Sequence, residues 1–282
     1  MSTSAVASQD WTRVGSVPAK ALTDARLQLH HAAQIIVSAA ISYIPARSDD
    51  SHTAMSWSAP FRALVTEPIT NAGDLRIGLR VEDLTLLALR GGKAIGSTSL
   101  TGKTIVEGNS WLAEIAREAN LDAKFLTSRK HYAIPEHAVA AGATFSAPID
   151  ELVELSRYWA NAAAFLAELA RVTTGASPVR TWPHHFDIAT LIELPGSPRR
   201  TVGVGQSPGD DSYAEPYWYV GPYPYPAVAD LPPLDGSGHW HTTGWVGGAL
   251  PATDYADAID QRAQVAAFVD SAVKACRRLL GA

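Results

Sequence analysis

One cysteine, Cys276, in 282 residues leaves no partner for an internal disulfide and excludes zinc sites of the CxxC type. A reducing compartment is consistent with that count. No stretch approaches the roughly 18–20 continuous apolar residues of a spanning helix. The first residues, Met1 to Asp10, have neither the basic nor the apolar region of a secretory signal. The expected location is therefore cytoplasmic, with no membrane partner. Basic clusters are missing as well. Lys and Arg occur at most in pairs such as Arg199-Arg200 and Arg277-Arg278, and the formal net charge is −5 with pI about 6.0. Both facts argue against nucleic acid, whose phosphates demand clustered positive charge. Charged residues are only 18% of the chain and apolar ones 46%, a composition that fills a sizeable globular core.

Four helices are expected. Over residues 20–43, Leu22, Ala25, Leu29, Ala32, Ala33, Ile36 and Ala40 recur at helical spacing, and Pro45 ends the run. Residues 105–119 place Leu112, Ile115, Ala116 and Ala119 on one side, with Asn120 suited to a left-handed end. Residues 150–172 bury a stripe of Leu152, Leu155, Trp159, Ala162, Leu166 and Leu169. A final helix over 255–280 turns Ile259, Val265, Ala266, Val269, Val273 and Leu280 inward. Arg277 and Arg278 suit the negative end of its dipole.

Strands are expected at 54–68, and at 76–81 with 84–89 as a hairpin closed by the two-residue turn Glu82-Asp83. Gly91-Gly92 breaks that run. Residues 127–148 read as loop. Further strands are expected at 184–194, 201–204, 213–220 and 239–247, and the proline-rich 221–237 as an irregular crossing. Helices and antiparallel strands segregate without βαβ alternation, so the class is α+β, antiparallel sheets packed against long amphipathic helices. The expected organisation is one domain, 1–282, with two interlocked halves of about 15–175 and 176–282 as its variant. A loose echo, strands then helix, recurs in 54–119 and 182–280.

The chemistry concentrates between Trp182 and Trp245. On a strand, residues two apart share a face, so His185 would point with Asp187, and His239 with His241. Three imidazoles and a carboxylate suit a divalent metal such as zinc. Against this, His184, Phe186, Ile188 and Ile192 form the more apolar face, which would leave His185 and Asp187 in water. Asp210 and Glu215 sit among aromatics, where paired carboxylates acquire split acidities and do acid–base work; the competing reading of Gly209-Asp-Asp-Ser212 is a plain turn. Trp182, Tyr213, Tyr217, Trp218, Tyr219 and Trp240 belong to an aromatic run holding more than half of the chain's Tyr and Trp. Their faces suit a small-molecule pocket, and the alternative is that they anchor an irregular segment to the core. His30 and His31 read as structural. Gly203-Val-Gly205 with Gly209 is no phosphate loop, because no helix follows it, and no GxSxG elbow exists.

Ser177-Pro-Val179, Phe186-Asp-Ile-Ala189, Ser207-Pro-Gly-Asp210 and Glu215-Pro-Tyr-Trp-Tyr219 occur in that order, after a helix carrying Leu29-His-His-Ala-Ala-Gln-Ile-Ile-Val37. In this combination the chain resembles a bacterial family of uncharacterised proteins, a domain of unknown function. The resemblance spans nearly the whole chain and implies one domain. It implies no activity, but it directs attention to His184, Asp187, Asp210 and Glu215, which match its motifs. The chain departs from the family pattern at His185 and around His239 and His241.

The resulting expectation is an enzyme acting on a small polar molecule, with metal-assisted hydrolysis as one form. His184, Asp187, Asp210 and Glu215 would be its catalytic groups. The alternatives are a non-catalytic small-ligand module with an aromatic pocket, or a protein-interaction domain. Each of the segments 182–187, 207–219 and 239–245 mixes His or carboxylate with aromatics. The sharpest expectation is that the three meet in one cavity.

Overall fold

The computed structural model describes residues 11–127 and 131–282; Met1 to Asp10, and residues 128–130 of the expected loop, lie outside them. The described chain runs helix, antiparallel sheet, helix, and then repeats that order. α1 (Thr23–Tyr43) leads into β1 (Ser56–Ser58), β2 (Ala63–Val65), β3 (Arg76–Arg80), β4 (Thr85–Arg90) and β5 (Lys93–Ser99), followed by α2 (Ile105–Glu118). α3 (Ile149–Val172) leads into β6 (Arg180–Thr181), β7 (Ile188–Leu194), β8 (Arg200–Ser207), β9 (Tyr217–Tyr223), β10 (His239–His241) and β11 (Gly247–Pro251), followed by α4 (Gln261–Leu279). The first sheet has the order β1-β2-β3-β4-β5 and the second β10-β11-β9-β8-β7-β6. Long helices against two antiparallel sheets are the α+β class.

The helices start and stop where local chemistry satisfies their ends. Thr104 and Glu107 form a reciprocal capping box on α2: Thr104 Oγ1 accepts from the Glu107 N–H (3.3 Å), and Glu107 Oε2 from the Thr104 N–H (2.8 Å). Asn120 takes the left-handed conformation after it, at φ 57°. Asp260 accepts from the Ala263 N–H (2.8 Å) at the start of α4. That start lies later than 255, so Ile259 falls outside the helix and is fully exposed, not inward. α1 is buried on nearly every side from Ala25 to Ala40, His30 and His31 included. Leu152, Leu155, Trp159, Ala162 and Leu166 of α3 are fully buried, as their spacing predicts.

The strands differ more from expectation. The 54–68 run divides into β1 and β2, because a short 3-10 turn holds Pro60 and Arg62 is left-handed at φ 47°. The β3–β4 turn is longer than two residues: Val81–Asp83 form a 3-10 turn and Leu84 is left-handed. β5 follows Gly91-Gly92 as an exposed, polar edge strand without an apolar pattern to announce it. The strand expected from His184 begins at Ile188. Before it, the β6–β7 hairpin closes over Pro183-His-His-Phe186, with Phe186 left-handed at φ 59° and the Trp182 N–H donating to the Asp187 carbonyl (2.9 Å).

The two sheets meet edge to edge through one antiparallel bridge, Met55 with Thr181, each N–H donating to the other's carbonyl (2.9 and 2.8 Å). In the second sheet, Ile188, Ile192, Val202, Val204, Trp218 and Val220 face α3 and α4. They belong to a buried cluster that draws on both halves and on all four helices. Strand alternation then puts Asp187, Leu191, Thr201, Gly203, Tyr217, Tyr219 and Gly221 on the opposite, helix-free face. Among the described residues no helix is long and apolar enough to cross a membrane.

Candidate functional site

That helix-free face carries a cleft of about 410 Å³, within the usual size range of small-molecule sites. Its floor is backbone. Gly203 and Gly221 sit directly opposite one another in the β8–β9 register, and a Cβ on Gly221 would meet nothing within 4 Å. Gly205, two residues on, is glycine for a different reason: a Cβ there would lie 2.5 Å from the Tyr219 hydroxyl and 2.8 Å from Ala189 Cβ. The missing side chain lets Tyr219 lie down across the strand.

The walls combine His185, Asp187, Ser207, Asp210, Tyr217, Tyr219, Tyr223, Tyr225 and Trp245. Residues from all three expected segments therefore meet in one cleft. Two tyrosine–carboxylate pairs organise it. The Tyr217 hydroxyl donates to Asp210 Oδ2 at 2.5 Å, and the Tyr219 hydroxyl donates to Asp187 Oδ2. Asp210 is held from behind, its Oδ1 accepting from the N–H groups of Ser212 (2.7 Å) and Tyr213 (3.2 Å). The turn reading and the site reading of Gly209-Asp-Asp-Ser212 are thus both true of Asp210.

Asp187 is different. It is only 8% exposed, and its Oδ1 is buried with no partner. Burial pushes its carboxyl above the ordinary carboxylate range; the Tyr219 hydroxyl and His185 oppose that shift without overcoming it. Its side-chain hydrogen-bond partner is the Tyr219 phenol. Both phenols respond in kind. Burial, then Asp187, raises Tyr219, and burial, then Asp210, raises Tyr217, so both keep their protons.

A second hollow of about 270 Å³ adjoins the cleft and shares His185 and Asp210 with it. Arg26 of α1, His30, His184 and Asp211 line it. Arg26 is 8% exposed and donates to the Gly209 carbonyl; burial lowers its pKa against the opposing pull of Asp210 and Asp211. His184 faces this hollow rather than the cleft. Burial, reinforced by His185, lowers its pKa to about 4, so its imidazole is neutral. His30 Nε2–H donates to the Pro183 carbonyl (2.9 Å) and its ring stacks on Phe186 at 4.5 Å, fixing the hairpin that carries Asp187.

Several expected site residues lie elsewhere. Glu215 is buried outside the cleft, accepting from the Thr253 N–H (2.8 Å) and hydroxyl (3.2 Å), so it ties β9 to the turn after β11. Trp218 lies between Tyr217 and Tyr219 in sequence and therefore on the opposite face, buried against Phe165. Trp240 packs on the core and donates to the Pro232 carbonyl (2.6 Å). Trp182 stands edge-on to His184, outside the cleft lining. Tyr213 is set back. Its hydroxyl lies between His239 Nε2 (2.9 Å) and His241 Nδ1 (3.1 Å), and its ring packs on Tyr217. The metal expectation finds no support in this arrangement. Among the described residues no three His, Cys, Asp or Glu converge as ligands, and His185, on the hairpin tip, does not join His239 and His241 on the edge strand β10.

Sequence reasoning missed Gly203 and Gly221, Leu191 and Thr201, which line the cleft, and Arg26. Period-two alternation along β9 could have separated Trp218 from its neighbours. Fold and site together define an α+β protein with a polar-aromatic cleft on the bare face of its second sheet. No family model, curated protein or solved structure matches the chain.

Proposed function

We propose that this protein is an enzyme acting on a small polar molecule held in the cleft, by acid–base chemistry centred on Asp187. One observation carries the reading: a buried carboxyl, its pKa raised by burial and one of its oxygens unpartnered, lines an open cleft that also holds His185 and Asp210. A carboxyl of raised pKa is the form in which Asp serves as a proton donor near neutral pH. Tyr219 orients it, and Asp210, positioned by its turn and by Tyr217, faces the same space. The motifs that carry the family resemblance supply Asp187, Ser207, Asp210, Tyr217 and Tyr219, which gives the resemblance a common location.

A second reading, a non-catalytic binding module, is favoured by the aromatic majority of the walls and by the engagement of both carboxyls with tyrosine hydroxyls. Untargeted mass spectrometry of a small-metabolite extract separates the two. The comparison is between the protein, Asp187→Asn and the cleft-filling Gly221→Phe. The enzyme reading expects consumption of a metabolite by the parent protein and by neither variant. Retention without consumption supports the module instead. Consumption that survives Asp187→Asn refutes the role given to that carboxyl.

A further inference from the structure

The cleft has an unbalanced set of partners. Two carboxyls, four tyrosines and a tryptophan line it, and among the described residues no lysine or arginine does. Arg26, the guanidinium that pulls on Asp210, lines the adjoining hollow and is already committed to the Gly209 carbonyl. His185 is on the exposed hairpin tip. Aromatic walls with acceptor oxygens and no competing side-chain cation are the arrangement that attracts positive charge, since ring faces and carboxylates act in the same direction. Asp187 adds a specific vacancy in hydrogen bonding: Oδ2 accepts from Tyr219, while Oδ1 accepts from nothing and is sealed from water. Buried polar atoms are rarely left so.

We infer that the cleft takes an organic cation bearing N–H donors, a primary or secondary amine in its ammonium form, held between the carboxyls of Asp187 and Asp210 and the surrounding ring faces. The inference rests on the cleft being the working site and names its substrate class. Binding carries a proton balance. Burial raises the Asp187 pKa in the free protein and an arriving ammonium lowers it again, so a proton carried by Asp187 leaves by cleavage of its O–H bond and passes to solvent as the complex forms. The titratable groups facing Asp187 are Tyr217 and Tyr219 from β9, His185 from the hairpin tip and Asp210 from the corner after β8. Since both tyrosines stay protonated, Asp187 is the group placed to release it.

Three probes of matched shape test this by calorimetry: 2-phenylethylamine, 2-phenylethanol and 3-phenylpropanoate. The amine should bind saturably, the alcohol at least about tenfold more weakly and the carboxylate not at all. The amine's apparent heat at pH 7 should change between buffers of different ionisation enthalpy, reporting proton release. Asp187→Asn should weaken the amine about tenfold or more and abolish the buffer dependence. Gly221→Phe should block binding. If the alcohol or the carboxylate binds as well as the amine, and Gly221→Phe blocks it, the cation inference is overturned while the cleft stands as a site. If the amine does not bind, or binds equally well to Gly221→Phe, the inference fails as well. Failure of the enzyme reading is seen separately, as metabolite turnover indifferent to Gly221→Phe.

Discussion

The bare faces of the two sheets invite comparison, because their strands follow one another outward from the same seam. On the first sheet Ala63, Val65, Leu87 and Leu89 close the face as a small buried cluster under Phe61. A hollow of about 600 Å³ lies beside them, larger than the cleft on the second sheet. Its two arginines are engaged with backbone: Arg76 donates to the Thr66 carbonyl (3.1 Å) and Arg90 to the Ala72 carbonyl (3.0 Å). On the second sheet the corresponding surface is glycine, tyrosine and aspartate, with one carboxyl oxygen left unpaired. The difference teaches that open volume does not mark a site. What marks it is open volume beside a buried polar group whose bonding is incomplete.

The largest expected effect strikes what the two faces share. Trp159 is fully buried on α3, which packs against both the turn after β3 and strands β7 and β8, and its ring lies 5.1 Å from Phe186. Trp159→Ala should cost about 3–5 kcal/mol. Denaturant melts should show one transition shifted as a whole; a loss under about 1 kcal/mol would mean the shared core is misassigned.

The next effect separates the faces. Gly205→Ala should cost about 1–3 kcal/mol by overpacking and push Tyr219 off Asp187. Gly78→Ala, on the bare face of the first sheet, meets Val65 Cγ1 at 3.0 Å and should cost less. Gly221→Ala, entering open space, should stay within about 0.5 kcal/mol. Equal costs at all three positions would erase the distinction drawn between floor and filled face.

A smaller effect has the opposite sign. With its folded pKa raised above 3.8, Asp187 contributes stability that is complete below that value and is lost as pH rises through the folded pKa. Asp187→Asn, which keeps the shape and can still accept from Tyr219, should therefore stabilise the protein at pH 7–8, by on the order of 1–2 kcal/mol. Equal melting temperatures for the two proteins across pH 5–8 would show that the carboxyl carries no such penalty. The smallest effect belongs to His184. Its pKa falls from 6.5 to about 4, so the stability it permits is present above 6.5 and lost as pH drops toward 4. Its ring neighbours Tyr132, Trp182 and His185, with Asp50 and His131 acting on it by charge, complete that environment. His184→Gln should flatten the acid side of the melting profile; an unchanged slope would count against a neutral His184.

The helices were legible because each writes a 3.6-residue apolar period into the chain; Trp159 and Leu166 needed nothing more. The cleft was legible where side chains advertise chemistry, at Asp187, Asp210, Tyr217 and Tyr219. It was illegible where the working feature is the lack of a side chain, at Gly203 and Gly221. Glu215 and Trp240 show the converse failure: a carboxylate and an indole near a site look alike in sequence whether they face the ligand or tie down a turn. β5 escaped because a polar edge strand has no buried face to impose alternation. Arg26 escaped because it reaches the site from a helix far away along the chain.

The bridge between Met55 and Thr181 has a consequence of its own. An antiparallel pair maps onto itself under a half-turn, so this seam has the symmetry of a contact between two identical subunits. Around it the chain sets out helix, sheet and helix twice. Two identical subunits would have to carry the same bare face, and any substitution would appear in both. Joined in one chain, the halves escape that constraint: one face can be filled for stability and the other hollowed for a ligand, each at its own sequence positions.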